Sequence, residues 1–203
     1  MAALARAVVA ILGEAAPPEA GRNGVAMLQR ITTVLRHRWI DDSDSRRMIP
    51  PAMLDRLTAR VHASERRHTG EIRICVEASL PSSYLWRHVW QGTPMQELVR
   101  QRATMQFSRQ RVWDTEHNNG VLIYLLVSER KIELLADRGV NAVVAPGQWR
   151  GMVERMARAF ADGRFEDGLT QALEEVSAPL IAHFPASPGA VNPNELPDRP
   201  TVD

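Results

Sequence analysis

The sequence predicts an α/β fold: a three-layer α/β/α sandwich on a small mixed sheet of three to four strands, with an N-terminal helical extension. Three observations predict it. Residues 120–127 (GVLIYLLV) are an unbroken apolar run of strand length, as expected of a central strand covered on both faces. Residues 71–78 (EIRICVEA) alternate, with Ile72, Ile74 and Val76 set against Arg73, Cys75 and Glu77, the pattern of a strand with one well-buried face. The remaining periodic segments carry apolar residues at helical spacing.

The elements follow in order. Residues 1–26 read as a flexible extension, because residues 15–24 (AAPPEAGRNG) are rich in Pro, Gly and Ala. Residues 27–51 read as a basic amphipathic helix and loop: Leu28, Ile31 and Leu35 share a stripe from Met27 to Trp39, and DDSDSRRMIPP then breaks the helix. Leu54, Leu57 and Val61 predict a helix over 52–68, ended by Thr69-Gly70. After the first strand, residues 80–92 read as an irregular segment with Tyr84, Trp86 and Trp90. Thr93-Pro94 with Gln96 then resembles a capped helix start, and Met95, Val99, Ala103 and Phe107 face inward. The apolar strand turns at Ser128-Glu129 into an antiparallel partner, residues 130–137. A helix over 148–161 buries Trp149, Met152, Val153, Met156 and Phe160, and Gly163 stops it. The last helix, 166–184, buries Leu169, Leu173, Val176 and Leu180, with Pro179 expected to kink it or split off its final turn. The α/β domain thus spans 52–185. Residues 186–203 read as a disordered Pro-rich tail, since five prolines fall between Pro185 and Asp203.

Composition narrows the function classes. The 203 residues hold 25 basic and 24 acidic side chains, so no global field favours nucleic acid. One cysteine, Cys75, excludes an internal disulfide and a Cys-based zinc cage. Lys131 is the only lysine, which confines Schiff-base chemistry to that residue. No run approaches the ~20 apolar residues of a spanning helix. Residues 1–12 lack a basic segment followed by an unbroken apolar one, so a cleaved signal is not expected.

The order of elements places a candidate site. A crossover containing a helix joins parallel strands, so the first two strands start at the same end of the sheet, and the hairpin returns the third to finish there. The turn pairs Val127 with Arg130 and, counting back, Gly120 with Asp137. Residues 113–119 (WDTEHNN) then lie beside Asp137, Arg138 and Gly139, and Glu65 and Glu71 reach the same rim. Carboxylates and amide oxygens of this kind suit Ca²⁺ or Mg²⁺, with Asp114, Glu116, Asn119 and Asp137 as ligands. From geometry alone the better reading of the same residues is a hydrogen-bonded loop in which Arg138 pairs with Glu65 or Asp114, with catalysis without a metal as the third.

Other motifs fail on context. Asp42-Ser43-Asp44 follows a basic helix, where an aspartyl-phosphate motif must end an apolar strand. Cys75 has Pro81 where a phosphatase loop needs Arg, and it sits mid-strand. His62, Glu65 and His68 do not share one helix face, as a zinc site requires. Phosphate-loop, dinucleotide and nucleophile-elbow motifs are missing, and no organic cofactor is expected. Trp86, Trp90 and Trp113 suit stacking on bases or sugars, but packing in the core or a groove is the better reading.

Residues 63–185 resemble the TPM domain family. The resemblance is carried by Glu65 with Gly70-Glu71-Ile72, NNGVLIYLL at 118–126, ADRGV at 136–140 and Trp149. It continues through Phe160, Gly163 and Phe165, Gly168-Leu169, and His183-Phe184-Pro185. It is nearest to the soluble bacterial branch without a membrane anchor. The resemblance implies an α/β/α sandwich. It also implies either an accessory role at a membrane-associated complex, with an unidentified protein partner and a cytoplasmic location peripheral to the membrane, or acid phosphatase activity supported by Ca²⁺ or Mg²⁺. Carried onto this sequence, Asp114, Glu116, Asn119 and Asp137 are the metal positions, and Asp137, Arg138 and Asp114 the catalytic candidates. Glu65, Glu71, Asn118, Gly139 and Trp149 frame the groove. Asn118-Asn119 stands where many relatives have a charged residue, which lowers the negative charge of the site.

Overall fold

The computed structural model describes residues 32–34, 37, 48–187, 189 and 193–203. The expected extension 1–26, most of the basic helix and residues 41–47 lie outside the described residues. The chain runs α1 (Pro51–Glu65), β1 (Ile72–Glu77), α2 (Ser82–Trp90), α3 (Met95–Arg109), β2 (Val121–Leu126), β3 (Lys131–Ala136), α4 (Arg138–Val143), α5 (Pro146–Ala161), α6 (Phe165–His183) and β4 (Thr201–Val202). The strands form one sheet in the order β3-β2-β1-β4. β1 and β2 are parallel, Ile72 facing Val121. β2 and β3 are antiparallel in the register counted from the turn, with Val121 opposite Ala136 and Leu126 opposite Lys131.

The pleat divides the core. On one face Ile74, Ile123 and Leu134 pack under Leu57 and Val61 of α1, Met156 and Phe160 of α5, and Leu169 and Val176 of α6. On the other, Cys75, Leu122, Tyr124 and Leu135 pack under Leu98, Val99, Ala103 and Phe107 of α3. This is the expected α/β/α sandwich.

Four local expectations are corrected. β1 is buried along its whole length, not on one face. Residues 82–90 form the helix α2, entered at Pro81, where an irregular segment was expected. α3 begins after Pro94 without a side-chain cap, and Gln96 instead contacts Glu133 and Lys131 at 3.1 and 3.0 Å. α6 runs through Pro179 as one element, so of the two alternatives the split of its final turn is the one overturned.

The largest correction is the tail. β4 adds to the outer edge of β1, with Cys75 facing Thr201 and Val76 facing Val202. Ala78 N–H donates to Asp203 O at 2.9 Å, and Asp203 N–H donates to Val76 O at 3.0 Å. Leu196 is buried in the second core. The Arg73 guanidinium donates to the carbonyls of Pro197 and Arg199. Composition could not reveal this strap, because its stability comes from partners more than 100 residues away in sequence.

His37, from the expected basic helix, is helical and buried. Its Nδ1 accepts from Leu80 N–H at 3.2 Å, and its Nε2 donates to Glu129 at 3.1 Å. That contact places it against the β2–β3 turn, at the sheet end opposite the predicted rim.

Candidate functional site

The two stretches expected to meet do meet. Asp137 N–H donates to Gly120 O at 2.8 Å, closing the β2–β3 ladder at the rim. One step further, Gly139 N–H donates to Asn118 O at 2.9 Å. Asn118 turns its carbonyl there from a left-handed conformation (φ 53°), which asparagine tolerates better than most residues. The approach leaves no room at Gly139: a Cβ there would lie 2.6 Å from Asn118 O and 2.8 Å from His117 O. At Gly120 a Cβ would collide with the backbone carbonyl of Val112.

The side chains are less convergent than their backbones. Asp137 caps α4, its Oδ1 accepting from Arg138 N–H at 2.7 Å. Its Oδ2 is buried and has no hydrogen-bond partner. Burial pushes this carboxyl up from its ordinary range, against the opposing pull of Arg138. Asn119 is fully buried, and its Nδ2 donates to Thr69 O at 3.0 Å in the α1–β1 turn. Its Oδ1 is also without a partner. Asp114, Glu116 and Arg138 are exposed, and Glu116 N–H donates to Glu195 of the strap at 2.9 Å. Among the described residues no three His, Cys, Asp or Glu side chains are grouped to hold a metal ion. The orphaned oxygens of Asp137 and Asn119 are of the hard type that Ca²⁺ or Mg²⁺ takes.

Glu65 and Glu71 serve the backbone. Glu65 Oε1 accepts from Ile72 N–H at 2.9 Å, and burial raises its pKa to about 8. Glu71 Oε2 accepts from Leu196 N–H at 3.1 Å, and burial raises it to about 7. His68 is fully buried, and burial lowers its pKa to about 4. The neutral ring donates from Nδ1 to Gly70 O at 2.9 Å. Trp149 is buried with its Nε1 unpaired.

Comparison with known proteins gives two matches to this arrangement. The family model described as the TPM domain matches residues 43–178. The chain belongs to the TPM domain family. A solved structure, the NMR structure of the BA42 protein from the psychrophilic bacterium Bizionia argentinensis, is similar with a TM-score of 0.62 and 24% identity. The likeness covers 75% of this chain and 93% of that one, and it speaks to the fold. No curated protein matches the chain.

Within this TPM domain the residues that carried the resemblance hold the scaffold together. Glu65 and Glu71 tie α1 and the strap to β1. Phe160 and Phe165 pack 6.3 Å apart across the turn at Gly163, and Gly168 lies under the Phe160 ring. Thr69 N–H donates to Phe184 O at 2.8 Å, and His68 bridges Pro185.

Two features of this TPM domain escaped the sequence reading. The first is a buried polar network on the α3 side of the sheet. The Glu77 carboxylate receives Arg102 Nε at 2.8 Å and Nη2 at 2.5 Å, Gln106 Nε2 at 2.5 Å and the Tyr124 hydroxyl at 2.6 Å. Burial and the adjacent Glu77 charge drive the Tyr124 hydroxyl upward. A signal existed: Leu98, Arg102 and Gln106 recur at i, i+4, so two polar residues share the stripe that buries Leu98. The second feature is aromatic. Trp86, Trp90 and Trp113 are 59%, 64% and 43% exposed, so the expectation of core or groove packing is corrected.

Proposed function

We propose that this TPM domain is an accessory interaction module for a membrane-associated complex, acting from the cytoplasm at the membrane periphery. One observation carries the reading: α2 presents Trp86 and Trp90 outward, their rings 5.1 Å apart, and buries none of its own residues. Stacked, exposed indoles are costly to leave in water, and Trp is enriched at binding hot spots. The engagement of Glu65, Glu71 and Glu77 in holding backbone and partners also supports a binding role over a catalytic one. A photo-crosslinker placed in cells at position 86 or 90 tests it. Adducts to protein or lipid of the membrane fraction are expected, and none from a crosslinker at the exposed Arg158 of α5. Adducts missing at 86 and 90 would end the reading.

A second reading is favoured by the two orphaned rim oxygens. In it Ca²⁺ or Mg²⁺ binds at Asp137 and Asn119, with Asp114 and Glu116 from the exposed loop, and assists hydrolysis of a phosphomonoester while Arg138 balances charge. Amide NMR titration with either cation then shifts signals at 114–119 and 136–139; a flat response removes the cation. Asp137→Asn would lower phosphate release by ~10²–10³-fold. Unchanged release removes the hydrolase.

A further inference from the structure

We propose that the outward face of α2 docks on an anionic membrane surface, seating Trp86 and Trp90 at headgroup depth. The inference rests on reading this chain as an interaction module and names the partner of that surface as lipid.

The face is aromatic and exposed. Trp86 and Trp90 stand at i, i+4, and their rings are tilted by 30° into one continuous ridge. Behind them Tyr84 and Leu85 rest, partly buried, against the second core. The helix is therefore anchored on one side, and its two indoles are exposed on the other. An indole has an apolar body and one N–H, so it is satisfied where hydrocarbon meets headgroups.

Charge selects the lipid. From Ala78 to Gln96 the chain has no Asp or Glu, while Arg87 and His88 lie within α2. The Arg87 guanidinium sits 5.9 Å above the Tyr84 ring, which holds the cation on the helix beside the ridge. His88 Nδ1 donates to Thr93 O at 2.8 Å and pins the helix end. The chain's overall charge is only +1, so the attraction is local. A short amphipathic helix with indoles outward and no acidic residue of its own suits the interfacial layer of an anionic bilayer.

Sedimentation of the full chain with vesicles tests it, using phosphatidylcholine alone and an equal mixture with phosphatidylglycerol. Binding is expected to the mixed vesicles, weaker at high salt, and lowered at least about tenfold by Trp86→Ala/Trp90→Ala. Hydrogen exchange of the wild-type chain, which needs no variant, is expected to show vesicle-induced protection at 82–90. No binding to the mixed vesicles, equal binding to both compositions, or equal binding by the variant overturns the proposal. So does protection confined to other segments. Self-association abolished in the variant, without vesicle binding, assigns the face to a second copy instead. Crosslinked protein adducts at 86 and 90 without vesicle binding break the lipid inference and leave the module reading standing.

Discussion

The two faces of the sheet are buried to a similar degree but by opposite chemistry. Under α1, α5 and α6, β1 contributes Ile72, Ile74 and Val76 to an apolar cluster that needs only shape. Under α3 and the strap, the same strand contributes Arg73, Cys75 and Glu77. There Arg73 is matched by Gln110 and strap carbonyls, and Glu77 by Arg102, Gln106 and Tyr124. Burial raises the Cys75 thiol to about 11, which leaves it unreactive as a nucleophile. An apolar face tolerates exchange of one hydrocarbon for another. A charged face tolerates only exchanges that keep every partner. Apolar/polar alternation in a strand therefore records chemistry, and water need not lie on the polar side.

The contrast is broken most severely at Arg102. Arg102→Met leaves the Glu77 carboxylate buried with only neutral donors, a loss of about 3–5 kcal/mol in urea unfolding. Adding Glu77→Gln recovers part of that loss, because the amide needs no counter-charge. A double variant no more stable than Arg102→Met would show that charge is not what the second face must balance.

At the corner shared by both faces, Gly139→Ala drives a methyl into the carbonyls of His117 and Asn118. The expected loss is about 1–3 kcal/mol by overpacking, with amide shifts concentrated at 117–120. A neutral outcome would mean that the loop is free to retreat.

The strap gives the second face a pH dependence. Glu71 titrates near 4.5 when unfolded and near 7 when folded, so the folded state holds more protons between those values. The stability of the neutral, buried carboxyl is complete below about 4.5 and is lost as pH rises through about 7. Glu65 extends the loss to about 8, and Glu133, near 7, acts in the same sense. His68 acts in reverse, its contribution falling away as pH drops from about 6.5 through about 4. Above 6.5 the carboxyls alone set a downward slope. Glu71→Gln keeps the acceptor for Leu196 N–H and should flatten that slope by about 1 kcal/mol per pH unit near pH 6.5, falling away toward pH 8. An unchanged slope in melts across pH 6.5–8 would remove Glu71 as a contributor.

On the apolar face, Ile123→Val deletes one methylene and should cost only about 0.5–1.5 kcal/mol. A larger cost would mean that shape is as strictly specified there as charge is beneath α3.

The candidate rim was legible in the backbone and illegible in the side chains. Counting back from Ser128-Glu129 placed Gly120 opposite Asp137, since ladder register is integer arithmetic once a turn is set. No such arithmetic decides that Asn119 reaches to Thr69 while Asp137 folds back on Arg138. Those directions depend on which backbone groups a crowded corner leaves unpaired.

Periodicity and run length determined by themselves the principal helices and the first three strands, connectivity determined their parallel and antiparallel pairing, and the motifs between Glu65 and Pro185 carried the resemblance to the TPM family. These are properties of local pattern and of chain connectivity. Only the tertiary structure decided that the Pro-rich end becomes β4, that Glu77 is enclosed with Arg102, and that the α2 tryptophans face outward. Each of those outcomes turns on desolvation of a group by residues distant in the chain, and burial is a property of the assembled surface that no local window of sequence contains.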